Sequence, residues 1–245
     1  MAHLFSKDSR ILSLHEPHPS MLDISNKYIK GFVNESEVIK EFKHKRYFYF
    51  RKAQLEKKEL YIESNNRLYS LIPVIKEIFE DYRIIHIVRD GREVVRSGMN
   101  RKYYTNNDVF FKKRIMALDF KNDEYYSQWN EMSSFEKTCW WWQKKDSIIY
   151  SQVKNCEKAR TYKYEELFFS NDAQLFEELI RFIGIDDVTS QKKYFLQNRN
   201  KKINKNNLNN FPKWNEWNDE QKNKFNLIAG EHMQEMGYTN FLDIK

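Results

Sequence analysis

Glycine and proline are scarce in this chain, and cysteine is scarcer. Six glycines and four prolines among 245 residues exclude a collagen-like repeat or a long linker, both of which need these residues in bulk. Two cysteines, Cys139 and Cys156, are too few for a disulfide framework and lack metal-ligand spacing. They read as reduced, partly buried thiols. The six histidines contain no H-x-x-x-H or H-E-x-x-H pair, so no metal site is expected. No apolar run approaches the roughly 18 residues a membrane helix needs, and the opening Met1-Ala2-His3-Leu4-Phe5-Ser6-Lys7 has neither the basic nor the apolar region of a signal peptide. As written, the chain is expected to be cytoplasmic with no membrane segment, and an N-terminal extension would reopen that expectation.

A hydrophobic content of 40% with 16% aromatics supports a folded core, and the length suits one α/β domain. The net charge of +7 favours an anionic ligand: a nucleotide, an acidic or sulfated glycan, an acidic peptide or a nucleic acid.

The most informative stretch runs from Tyr82 to Tyr104. Arg83-Ile84-Ile85-His86-Ile87-Val88 is a short, β-branched, nearly continuous apolar run, the pattern of a strand buried on both faces of a parallel sheet. Arg89-Asp90-Gly91 turns the chain, and Arg92 to Arg101 is expected as a helix. Val94, Val95, Gly98 and Met99 fall on one stripe that can pack on the sheet, while Ser97 and Arg101 share a neighbouring face. Two arginines and a hydroxyl near the carboxyl end of a strand suit a phosphate, because ligands of open α/β sheets sit at that end and the guanidinium fork bonds phosphate oxygens in pairs.

Arg89-Asp90-Gly91-Arg92-Glu93-Val94-Val95-Arg96-Ser97 resembles the 3'-phosphate-binding segment of sulfotransferases that use 3'-phosphoadenosine-5'-phosphosulfate (PAPS). In that family an arginine follows a strand, then come an acid or amide, a small residue, a basic residue, an acid, and a serine four residues on. The arginine and serine hold the 3'-phosphate. Arg101 matches an arginine that tyrosylprotein sulfotransferases keep four residues after the serine. The resemblance extends from Glu16 to Tyr238 in the family's order.

Earlier in the chain, Arg10-Ile11-Leu12-Ser13-Leu14 reads as a strand ended by the prolines of His15-Glu16-Pro17-His18-Pro19. Glu16 is either a solvated turn glutamate or a general base; the resemblance implies the base that takes the acceptor's proton. The family's opening phosphate loop, similar to G-x-x-R-S-G-T-T, cradles the 5'-phosphosulfate. It has no counterpart here, since no glycine precedes Gly31, and the fold is therefore expected as an N-terminally truncated one. Ala2-His3-Leu4-Phe5 resembles the end of the helix after that loop. Glu35 to about Lys58 reads as one or two helices. Glu59 to Asn65 reads as a strand, with Ser64 where relatives carry a lysine that supports the transferring group. Glu63 is a second acid–base candidate. Arg67 to Glu80 is an amphipathic helix with Pro73 in its first turns.

Beyond Arg101, residues 103–130 correspond to the family's variable acceptor-binding or lid segment. Ser133 to Cys156 is a helix that opens with a capping box, and Trp140, Trp141 and Trp142 cannot all face one side of it. Ala159 to Leu167 reads as a strand and turn in which Tyr164 matches a tyrosine that approaches the cofactor. Asp172 to Ile185 is a helix ending at Gly184. Residues 198–213 match a loop that closes over the nucleotide, with Lys213 as its phosphate contact. The last helix, Asp219 to Gly237, is capped by Asn218.

The expectation is a single α/β domain over residues 1–245. Its architecture is a three-layer sandwich with a central parallel sheet flanked by helices, the P-loop NTPase-like sulfotransferase fold. The resemblance implies transfer of a sulfuryl group from PAPS, without a metal, to a hydroxyl or amine acceptor on a glycan, peptide or small molecule. Arg89, Ser97, Arg101, Tyr164 and Lys213 would bind the cofactor, and Glu16 and Glu63 would serve catalysis. Two alternatives stand beside it. One is a degenerate relative that binds nucleotide without turnover. The other is a basic nucleic-acid-binding protein, which the charge allows but no binding module supports.

Overall fold

The computed structural model describes residues 1–170, 172–199 and 211–238. Most of the expected cofactor-covering loop, 200–210, lies outside the described residues. The protein is α/β, about 55% helix with small parallel sheets. In chain order the elements are α1 (Ala2–Phe5), β1 (Ile11–His15), α2 (Leu22–Ile29), α3 (Glu35–Leu55), β2 (Leu60–Ser64), α4 (Ile72–Ile78), β3 (Ile84–Val88), α5 (Gly91–Asn100), α6 (Ser134–Val153), β4 (Ala159–Lys163), α7 (Tyr164–Phe169), α8 (Gln174–Phe182), α9 (Val188–Asn198) and α10 (Asp219–Glu235). Where one central sheet was expected, the strands form two pairs, β1 with β2 and β3 with β4. The contacts divide the chain into two compact units, Met1–Ile84 with Leu167–Lys201 and Ile85–Glu166 with Lys202–Lys245.

In the first unit β1 runs parallel to β2, with Ile11 opposite Leu60 and His15 opposite Ser64. A capping box starts α3: Glu37 N–H donates to the Asn34 side chain at 3.0 Å, and Asn34 N–H donates to the Glu37 carboxylate at 2.8 Å. The result is a single helix of 21 residues. Val38, Phe42 and Arg46 follow at four-residue spacing on its buried face. Val38 and Phe42 pack with Met21, Leu71 and Val74. Helix α4 carries Pro73 in its first turn but is shorter than expected, because Asn65 caps a separate 3-10 turn at Asn66–Leu68. Gly184, at φ +83°, takes the left-handed conformation that follows α8. Phe176 of α8 stacks on Phe195 of α9 at 3.9 Å, and Phe5 of α1 joins them 6.1 Å from Phe176.

In the second unit α5 lies close against helix α6, and two glycines permit the approach. A Cβ on Gly91 would lie 2.5 Å from the Trp142 ring, and one on Gly98 would lie 2.7 Å from Thr138 Cγ2. Only bare backbone lets the helices approach so closely. The Ser133–Glu136 capping box opens α6 as the sequence implied. Trp140 and Trp142 are buried, while Trp141 is half-buried against Tyr103 at 5.3 Å.

Asp8 gives the fold an acid-sensitive contact. It accepts from Arg10 Nη2 at 2.8 Å and Nε at 3.1 Å, and from Gln191 at 3.1 Å. An unfolded aspartate titrates near 3.8, whereas the Arg10 hydrogen bonds hold Asp8 down at about 2. The pair therefore stabilises the fold fully above the unfolded value, and that contribution is lost as pH falls toward 2. Urea midpoints measured through this acid range should fall more steeply for wild type than for Asp8→Asn.

Candidate functional site

The second unit holds all five of the residues expected to bind a nucleotide. Strand β3 ends at Val88, and Arg89 and Asp90 make the turn into α5, which starts at Gly91. Three contacts from elsewhere in the unit fix that turn. Asp90 N–H donates to Glu165 at 3.2 Å, Gly91 N–H to the Met233 sulfur at 3.4 Å, and the Tyr238 hydroxyl to the Val88 carbonyl at 3.4 Å. The Tyr238 hydroxyl also donates to Glu165 at 2.7 Å, and burial followed by that carboxylate pushes the phenol well above its ordinary value. Asp90 caps α5 by accepting from Arg92 N–H at 2.9 Å, and its carboxylate is gripped by the Arg92 guanidinium at 2.6–3.1 Å. Arg92 is buried over Trp214, 5.2 Å from its ring.

Arg89 is left facing outward. Its side chain is 45% exposed, and its guanidinium lies 5.2 Å over the ring of Tyr164. Two residues singled out separately in the sequence are thus brought together. Its ionic partner is Glu93, at 3.6 Å, which also lies 3.7 Å from Arg96. Glu93, Ser97 and Arg101 follow at four-residue spacing along one face, with Ser97 half-buried and Arg101 exposed. The segment before Lys213 hangs on the same helix: Phe211 N–H donates to Asn100 at 2.8 Å, and Arg96 Nε donates to the Phe211 carbonyl at 3.2 Å. Lys213 itself is exposed.

The two catalytic candidates lie in the first unit and have opposite surroundings. Glu16 follows β1, its N–H donating to the Ser64 carbonyl at 3.0 Å. Its φ of 42° places a non-glycine residue in the left-handed region, a strain of roughly 1–3 kcal/mol that concentrates at functional sites. The partly exposed carboxylate is held by Arg67 at 2.7 Å. Glu63, by contrast, is only 6% exposed in its side chain. Oε2 accepts from Arg46 Nε at 2.8 Å and Tyr61 at 2.5 Å; Oε1 accepts from Arg46 Nη2 at 2.8 Å and Asn65 at 2.7 Å. With both oxygens occupied, Glu63 is an anchor between β2 and α3 and presents no accessible carboxylate for proton transfer.

One buried cluster had no signal in the sequence. Asp146 of α6 accepts from His86 Nε2 of β3 at 3.0 Å and from His232 Nε2 of α10 at 2.7 Å. Burial alone would raise this carboxyl, but the two imidazole hydrogen bonds outweigh it and hold it below the usual carboxylate range. The three residues are separated by 60 and 86 positions, so no local pattern could have paired them. No family model, no curated protein and no solved structure matches this chain.

Removing one partner of the Arg46–Glu63 pair leaves a buried charge unanswered, at a cost of roughly 3–5 kcal/mol. Arg46→Met and Glu63→Gln should each lower the unfolding free energy in urea substantially. A Glu63→Gln protein of wild-type stability would show that Glu63 is not the anchor described above.

Proposed function

We propose that this chain is a PAPS-dependent sulfotransferase, carrying the three-layer architecture of that class, and that it transfers a sulfuryl group to a hydroxyl or amine acceptor. What supports the reading is the strand-end turn. Asp90, Gly91 and Arg92 are engaged inward, and Arg89 alone is presented outward, against Tyr164. The donor set fits a phosphate: a guanidinium fork at the strand end, with a hydroxyl and a second arginine along the adjoining helix. Glu93 competes for that fork. Its ion pairs are long, at 3.6 and 3.7 Å, and about 40% exposed. Such contacts contribute only about 0–1 kcal/mol, so a phosphate dianion can displace them.

PAPS, when bound, supplies the sulfuryl group and an anionic leaving nucleotide. Arg89, Ser97 and Arg101 hold its 3'-phosphate, and Lys213 adds positive charge from the Phe211–Trp214 segment. Glu16, oriented by Arg67, takes the proton of the acceptor. General-base help of this kind contributes about 10²–10⁴-fold in rate.

Calorimetric titration with adenosine 3',5'-bisphosphate tests the nucleotide site. Arg89→Ala should weaken binding by about 10- to 150-fold, the equivalent of roughly 1.5–3 kcal/mol for charged hydrogen bonds, and Glu93→Gln should tighten it. Equal affinity in wild type and Arg89→Ala removes the assignment. In a transfer assay with labelled PAPS, Glu16→Ala should retain nucleotide binding and lose turnover by the factor given above. Binding without transfer by wild type points instead to a nucleotide-binding relative without turnover.

A further inference from the structure

The loop between α5 and α6 displays apolar side chains on a rigid frame. Val109 is 87% exposed, Phe110 56% and Phe111 41%. Three consecutive apolar residues in water are unfavourable unless something covers them. Their exposure is built in, because the loop beneath is clamped. Asp108 is buried and accepts from Tyr104 N–H at 2.9 Å, Phe110 N–H at 3.0 Å, and Arg114 Nε and Nη2 at 2.6 and 3.2 Å. The Arg114 guanidinium in turn lies 3.4 Å over the Tyr103 ring. A carboxylate–guanidinium pair thus closes the loop at its base and holds the apolar tip out.

Along the sequence the tip is flanked by positive charge. Lys112 and Lys113 follow it directly and both are exposed. From Arg101 to Arg114 the only acid is Asp108, which is buried in the pair just described. We propose that this tip docks the protein reversibly on an anionic lipid surface, with Val109, Phe110 and Phe111 entering the boundary between headgroups and acyl chains and the lysines meeting acidic headgroups. A fluid apolar layer accepts projecting side chains without a matching groove, and lysines at its surface gain from the negative leaflet potential. Among the described residues no helix is long and apolar enough to cross a membrane; the contact proposed is peripheral and needs none. It touches none of the residues assigned to the nucleotide, so it stands or falls separately.

Co-sedimentation of the full chain with vesicles tests it, using phosphatidylcholine with about one-third phosphatidylserine against phosphatidylcholine alone. Wild type should pellet with the anionic vesicles and much less with the neutral ones. A double substitution, Lys112→Gln with Lys113→Gln, should weaken partitioning about 25-fold, from roughly fivefold per lysine. Val109→Ser with Phe110→Ser should weaken it at least about tenfold. Val109 and Phe110 are exposed, so thermal unfolding of that variant should be unchanged. Failure of wild type to pellet with anionic vesicles overturns the proposal and leaves the tip to a polypeptide partner. Full binding by the Val109/Phe110 variant, or equal binding to both vesicle types, overturns it as well.

Discussion

Taking a carboxylate out of water costs several kcal/mol unless donors meet its oxygens, and three of the buried acids among the described residues show how this chain meets that constraint. Glu63 is met by Arg46, Tyr61 and Asn65; Asp108 by Arg114 and two backbone N–H groups; Asp146 by two histidines. Each arrangement ties together segments that the chain separates. Within the first unit, Glu63 joins β2 to α3. Within the second, Asp108 closes the loop after α5, and Asp146 links β3, α6 and α10. The apolar contacts around them are ordinary.

The same constraint sorts the basic residues. A net charge of +7 describes the whole chain but not the availability of any one cation. Arg46, Arg92 and Arg114 are buried in ion pairs. Arg89, Arg101, Lys112 and Lys213 are exposed. Chemistry directed at anions therefore belongs to the second group, and the first group provides the framework. In the strand-end turn the two kinds stand three residues apart: Arg92 is locked on Asp90 while Arg89 faces outward over Tyr164.

Much of the local structure was legible beforehand. Strand β3 was legible from its apolar run, and the turn at Asp90 and Gly91, the capping box at Ser133, the N-cap at Asn218 and the end of α8 at Gly184 rest on interactions within four or five residues. Helix α9 was not anticipated. Its sequence, VTSQKKYFLQN, is largely polar, and the chief apolar side chain it buries is Phe195, through stacking on Phe176. The stripe on α5 contains the buried Val95 and Gly98, and Gly98 lies against Thr138 of α6. Glycine spacing announces a close approach without saying which element makes it.

By itself the sequence determined the strand–turn–helix unit around Arg89, the helix starts and stops, and the candidacy of Glu16, because backbone geometry and capping act over short separations. Only the tertiary structure decided which charged groups remain available. Glu16 keeps a partly exposed carboxylate on Arg67, whereas Glu63 is enclosed by Arg46, 17 residues away. Whether a charge is buried depends on partners that folding brings from distant positions, and no local pattern records them. The Asp146 cluster, the Asp108 clamp and the outward display of Val109 to Phe111 come from the same source.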